Sequence, residues 1–237
     1  MTRSKWFAGA IALGMFFCSG SAMAQDKKPE GKPADKPAAA KPESKKDAKA
    51  GGAQEGGTPP GMTAEEAKCM ELMMTLGQPA DEHKAMAAHF VGTWDTESKM
   101  FMGPGEPMTS KGSCKSTAIF DGRYITEEYE GDMMGQPFKG MSLSGYDRIN
   151  KQYVNTWIDS MSTGTFNSTG TYDASKKAYT YKGDMCMPTE DGKVNKMPIR
   201  MVITINSNDK HTFEWFEMKD GKETKTMEIT YTRRKAA

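Results

Sequence analysis

Histidine is scarce: His83, His89 and His211 are the three in a chain of 237 residues. His83 and His89 stand six apart and do not share a helix face as an i, i+4 metal pair would. His211 opens a strand-like run beside a turn and is expected in solvent. No zincin motif, phosphate loop or dinucleotide fingerprint occurs. Gly140-Met141-Ser142-Leu143-Ser144-Gly145 misses the nucleophile-elbow spacing by one residue. These absences leave no catalytic residue, metal or cofactor to name, and an enzyme reading rests only on carboxylates near aromatics. Charge of one sign is lacking too. Lysine and arginine number 32 against 31 acidic residues, for a net charge of +1. There is no unbalanced basic stripe to suit a nucleic acid.

Cysteine is sparse, with four in all. Long apolar runs are represented by one stretch, residues 6–17, too short to span a bilayer comfortably. Arg3 and Lys5 precede it, and Ala22-Met23-Ala24 follows with the small-x-small cleavage pattern, so residues 1–24 read as a signal peptide. Cleavage near Ala24 is expected over lipidation of Cys18, because Phe17 is bulky where lipid attachment wants a small residue. The protein would then be extracytoplasmic, periplasmic or secreted, and not transmembrane. Removing Cys18 leaves Cys69, Cys114 and Cys186, an odd number that allows at most one internal disulfide. Cys114 and Cys186 both fall in strand-like segments and are the candidate pair. The alternative is three small buried residues without a bond.

Residues 25–61 are rich in Lys, Pro and Ala, with no aromatic residue and no apolar period. Such a segment cannot bury enough surface to offset ordering entropy and reads as a disordered linker. An arm of this kind could also reach a cell-envelope partner. A helical lead-in follows over 62–90. Thr63-Ala64-Glu65-Glu66 has the form of a capping box, and Gly77 is a stop. Met62, Cys69, Met70, Met73, Met74 and Leu76 recur near helical spacing, so this helix is expected to lie on something apolar. Asp81 is expected to cap a second short helix carrying His83, Met86, Ala87 and Phe90.

From residue 91 to 235 the pattern becomes alternation broken by turn residues. Reversals are marked at 103–105, 121–122, 131–137, 147–151, 160–164, 173–177, 188–196, 206–210 and 220–221. Asp-Gly, which marks the reversals at 121–122 and 220–221, is among the strongest short-range hairpin signals. Nine reversals separate ten strands with no helical period between them, and sequential strands joined by short turns pair antiparallel. Curling closed would remove the exposed edges, so the fold class is all-β, an antiparallel up-and-down barrel. Trp94, Thr96, Ser98 and Met100 share one face of the first strand, with Asp95, Glu97 and Lys99 on the other. Met197, Ile199, Met201, Ile203 and Ile205 share a face of the eighth strand, and Met227, Ile229, Tyr231 and Arg233 a face of the last. An interior that mixes aliphatics, hydroxyls, glycines and aromatics is more polar than a solid core and suggests a cavity.

Tyr129, Trp157, Tyr181, Trp215 and Tyr231 are the aromatics expected to line it, with Asp159 beside Trp157 on the same strand face. Arg233 or an inward glutamate would fix a polar end. Glu127 and Glu128 are adjacent on a strand, so one faces inward. It would either meet an interior arginine such as Arg233 or, left in apolar surroundings, carry a raised pKa suited to acid or base work. Methionine is over-used, at 21 residues. Met133-Met134 and Met185-Cys186-Met187 bring soft ligands together in a way that would suit Cu(I), although Cys186 should face away from its neighbours. Met133 and Met134 are read as part of a loop.

Gly92-Thr93-Trp94 at the first strand, with Arg233 or Arg234 closing the last, resembles the Gly-x-Trp and distant Arg of lipocalin-like barrels. Further along come Gly122-Arg123-Tyr124, Glu127-Glu128-Tyr129, Gly131, Gly145-Tyr146-Asp147, Tyr153, Trp157-Ile158-Asp159 and Glu228-Ile229-Thr230-Tyr231. In that order they resemble the bacterial domain-of-unknown-function family numbered 1579, over roughly 83–234. The resemblance implies a lipocalin-like (calycin-type) barrel in which Trp94 and Arg233 close one end by cation–π contact. It implies no activity, substrate or catalytic residue. The leading expectation is an exported barrel that binds a small apolar or amphipathic ligand. The alternatives are a structural or interaction module of the cell envelope tethered by its linker, then an enzyme or a Cu(I)-binding protein.

Overall fold

Alternation is realised along the whole second half of the chain. The computed structural model describes residues 61–219 and 221–235, so the signal peptide and all but the last residue of the linker expected over 25–61 lie outside the described residues. The chain divides near Cys69 into two units, and the unit that begins at Met70 carries the barrel. Two helices, α1 (Ala64–Leu76) and α2 (Asp81–Phe90), precede ten strands. The strands are β1 (Gly92–Met100), β2 (Met108–Ile119), β3 (Tyr124–Met133), β4 (Gln136–Asp147) and β5 (Gln152–Asp159). They continue with β6 (Phe166–Asp173), β7 (Ala178–Pro188), β8 (Val194–Ser207), β9 (Lys210–Lys219) and β10 (Lys222–Arg233).

Each strand pairs antiparallel with its sequence neighbours, and β1 pairs with β10 from Trp94↔Arg233 to Met100↔Met227, closing the barrel. Closure leaves no edge for another chain to extend. All nine expected reversals occur. One is tighter than the sequence suggests: β3 runs through Met133, and the turn to β4 is only Met134-Gly135. Both of those residues have positive φ, 55° and 81°, which is what a two-residue hairpin turn demands. A bulge between Lys225 and Met227 lets β10 keep Met227 facing inward beside Trp215.

Two aromatic-rich clusters fill the interior. One gathers Met86, Ile125, Tyr153, Phe166, Tyr179, Tyr181 and the inward residues of β8, and the other gathers Trp94, Cys114, Tyr129, Phe138, Ile229 and Tyr231. Wide rings fit because small residues stand opposite them. A Cβ on Gly140 would overlap the Trp157 indole, and one on Gly112 would lie 2.8 Å from the Tyr129 hydroxyl. The rings therefore lie flat against the neighbouring strand instead of projecting across the barrel.

The helices depart from expectation in two ways. The capping box of α1 forms, with Thr63 N–H on Glu66 Oε2 at 2.8 Å and Glu66 N–H on Thr63 Oγ1 at 3.2 Å. Its methionine stripe is not buried, however: α1 contributes no buried residue, and Met73 and Met74 are 64% and 68% exposed. What anchors its C-terminal end is polar. Arg148 donates to the Thr75 and Gln78 carbonyls, and Arg123 donates to Gly77, satisfying carbonyls that a helix end leaves free. In α2 the N-cap is Ala80, not Asp81. Asp81 is already helical, and the His83 ring reaches back to accept the Ala80 N–H at 3.0 Å. Met86 and His83 are the buried residues of α2, which seats it against the barrel.

Candidate functional site

One end of the barrel is sealed. Arg233, at the end of β10, lies over the Trp94 ring at 4.0 Å and donates to the carbonyls of Val91 (2.6 Å), His89 (3.3 Å) and Asn208 (2.9 Å). Gly92 has φ of 145°, and a side chain there would collide with the Arg233 guanidinium. The Trp94 indole N–H donates to Phe90 O at 2.9 Å, tying α2 to the same seal. The barrel-closure pair expected from the resemblance therefore meets. It also removes Arg233 from the set of groups that could touch a molecule inside, because its donors are committed to backbone carbonyls.

Behind the seal lies His211, which is buried and not solvated as its turn position suggests. It is stacked on Tyr231 at 4.3 Å and has Trp94 edge-on at 4.5 Å. Its Nδ1 is buried without a hydrogen-bond partner. Burial, reinforced by the nearby positive charge of Arg233, pulls its pKa down to about 3. The imidazole is therefore neutral. The turn that precedes it misleads because β9 starts at Lys210, so His211 is already an inward position.

The central polar group of the interior is Glu127. Alternation along β3 turns Ile125, Glu127 and Tyr129 inward, and Glu127 stands opposite Ser116 on β2 and Ser142 on β4, both buried. Protein closely surrounds the carboxyl, and the residue as a whole is partly buried. Arg233 is not its partner: among the described residues no ion pair involves Glu127. Its neighbours are the Tyr231 hydroxyl and the Cys114 thiol, both of which favour the charged form, while the larger effect of burial raises its pKa. Burial likewise pushes the Cys114 thiol and the Tyr231 phenol upward, with Glu127 adding to both. Of the two options for an inward glutamate, the structure selects the unpaired carboxyl. Such a group can donate a proton in a hydrogen bond while it stays neutral.

Tyr129 and Tyr231 lie near this carboxyl, and Trp157 packs against the cluster to which they belong. The Tyr129 hydroxyl accepts from Thr96 Oγ1 at 3.4 Å. Trp157 is partly buried and donates through its indole nitrogen to Asp159 Oδ2 at 3.0 Å. Asp159 Oδ1 meanwhile accepts from Met161 and Ser162 N–H, so the aspartate both closes the turn after β5 and holds the ring. Trp215 is partly buried against Phe166, at 5.1 Å. Tyr181 is 2% exposed and packed within the other cluster, so it is not at an accessible surface. The cysteines are not brought together. Cys114 is buried on the inner face of β2, Cys186 is exposed on the outer face of β7, and both are free thiols.

Two cavities are apparent at the periphery. One of about 90 Å³ sits at the open rim between β1, β2 and the β3–β4 turn, and one of about 410 Å³ lies against the wall formed by β5, β6 and β7. The seal half of the interior is tightly packed. Partly buried hydrophobics occur at both ends of the barrel: Tyr146 and Tyr172 lie beside α2, and Trp157, Met161, Phe213 and Trp215 pack against the two clusters. Among the described residues, no group of three His, Cys, Asp or Glu side chains is placed to hold a metal ion. No helix among them is long and apolar enough to cross a membrane.

Solved structures of similar shape include a crystal structure of Rv2717c from M. tuberculosis, with a TM-score of 0.49 and 11% identity over 67% of this chain and all of that one. A redesigned beta barrel aligns with a TM-score of 0.33 and 16% identity, over 63% of this chain and 95% of that one. No curated protein sequence matches the chain. A family model, described as "Protein of unknown function (DUF1579)", matches residues 78–233, all of helix α2 and the ten strands just described, and the chain belongs to that family.

Proposed function

We propose that the barrel binds a small amphipathic molecule in the half of its lumen away from Arg233. The apolar body would lie among Trp157, Phe213 and Trp215, and a neutral oxygen-bearing head would meet Glu127 and the Tyr231 hydroxyl. The observation that carries this reading is Glu127. A carboxyl that faces inward with no cation to balance it weakens a fold, and a packed apolar residue would serve stability better. Here the residue is only partly buried and burial of its carboxyl raises the pKa, which suits donation to a carbonyl or hydroxyl. Trp157, Phe213 and Trp215 are packed against the interior clusters and must shift to admit a guest, so a slender molecule fits better than a bulky one. Export after cleavage near Ala24 is part of the proposal and is supported by the charged start, apolar run and small-x-small pattern of the leader.

Displacement of a fluorescent apolar probe, N-phenylnaphthylamine, tests it. A medium-chain alcohol or amide should displace the probe, and an alkylammonium of equal length should do so no better. Glu127→Leu should weaken the alcohol more than Glu127→Gln, which keeps a hydrogen-bonding head. Absence of probe uptake by the folded wild-type chain would overturn the reading. A second reading, a structural module of the cell envelope tethered through residues 25–61, is favoured by the aromatic packing that fills the sealed half.

A further inference from the structure

The small rim cavity has an origin in the strand register. The β2–β3 ladder ends at Gly112 opposite Gly131. Continued in register, it would place Ser110 against Met133 and Thr109 against Met134, but the strands part there, while β2 stays paired to β1 and β3 to β4. The gap becomes a notch of about 90 Å³ lined by Met100, Met108, Met134, Ser110 and Asp132. Met100 and Met108 are direct cross-strand partners, so their Cβ atoms stand about 5 Å apart on one face. Met134 occupies the left-handed region in the β3–β4 turn, and Asp132 Oδ1 pins that turn by accepting the Gly135 N–H at 2.7 Å. Three methionines from three separate stretches of chain thus line one small space, with Asp132 beside them.

We propose that this notch binds a soft monovalent cation, Cu(I) or Ag(I), through the sulfur atoms of Met100, Met108 and Met134, with Asp132 supplying compensating charge. Thioethers are soft, neutral ligands that select Cu(I) over Zn(II) or Mg(II). They carry no proton to lose, so affinity stays flat with pH where a thiol or imidazole site would weaken in acid. The sequence pairs Met134 with Met133, but Met133 belongs to the strand. The partners that matter, Met100 and Met108, are linked to Met134 only through the closed sheet. The site is separate from the lumen around Glu127 and stands whether or not the barrel takes an apolar guest.

Silver is the redox-inert probe. The full chain carrying Cys18→Ser, Cys69→Ser and Cys186→Ser, so that accessible thiolates do not compete, is labelled at methionine methyl carbons and titrated with silver nitrate. Three methyl resonances should move at one equivalent, assigned to Met100, Met108 and Met134 by single leucine variants. Leucine conserves volume, so the fold should survive these changes. Met108→Leu with Met134→Leu should weaken silver by at least about tenfold, the scale on which even supporting groups act in metal sites. Met185→Leu with Met197→Leu, a cross-strand pair elsewhere in the wall, should leave affinity unchanged. Shifts at other methionines, an affinity indifferent to the first double variant, or an affinity that falls from about pH 8 to about pH 6 as a thiol site would, would each overturn the assignment.

Discussion

Acid should destabilise the barrel through His211 specifically. The imidazole is 5% exposed, wedged between Tyr231 and Trp94, with Phe90 edge-on at 5.4 Å and Arg233 and His89 as the nearby charged or titratable groups. Its pKa falls from an ordinary 6.5 to about 3 in the folded chain. A depressed folded value means that the unfolded chain takes up the proton first, so stability is full above 6.5 and is lost as pH falls toward 3. Near pH 5 the unfolded chain has gained about 1.4 kcal/mol for each unit below its own pKa, a loss of about 2 kcal/mol. For a barrel of this size that is a drop in Tm of about 4–8 °C. Urea unfolding at several pH values, wild type against His211→Leu, isolates it. Glu127 and His83 also titrate, but they contribute equally to both chains and cancel in the difference, while His89 interacts electrostatically with His211 and its share belongs to the same effect. Leucine forfeits the ring stacking and shifts the whole curve, yet it should flatten the pH dependence by about 2 kcal/mol between neutrality and pH 5. Parallel curves for the two chains would refute the buried, neutral His211.

Other outcomes follow from the same packing. Arg233→Lys should cost about 2–3 kcal/mol in urea unfolding, because an ammonium cannot serve three carbonyls and lie flat on Trp94 together. Glu127→Gln should act oppositely to His211 in pH. A carboxyl with a raised folded pKa supports the fold below its ordinary value of 4.5 and withdraws that support as pH rises, so the glutamine variant should gain on wild type toward neutrality. Gly140→Ala should destabilise by about 1–3 kcal/mol and red-shift tryptophan emission, since its methyl displaces the Trp157 ring from the wall. Thiol titration should find Cys69 and Cys186 reactive in the folded chain and Cys114 silent until it unfolds, because Cys114 is buried and its thiol is pushed upward by burial and by Glu127.

The barrel was legible because period-2 alternation and turn chemistry are local properties. Each of the nine reversals carries its own Gly, Asp, Asn or Pro, and inward positions such as Trp94, Thr96, Ser98 and Met100 follow from counting by two. What depends on which strands lie beside one another was not legible. One of Glu127 and Glu128 is expected to face inward, but only the closed sheet shows that it is Glu127, with Tyr231 and Cys114 beside it and Arg233 engaged elsewhere. Cys114 and Cys186 sit on opposite faces of the wall, which a strand assignment without register does not separate. His211 was misplaced by one structural fact, that β9 begins directly after its turn. The α1 methionines have helical spacing but no apolar surface to cover among the described residues, and spacing alone does not supply a partner.

Native mass spectrometry of the full chain, extracted without detergent, tests most directly whether the space beside Glu127 is a binding chamber. The wild-type protein should carry a small-molecule adduct that is lost from Glu127→Leu and retained by His211→Leu, whose change lies behind the seal. A wild-type spectrum showing the bare polypeptide mass alone, or an adduct that persists unchanged in Glu127→Leu, would contradict it.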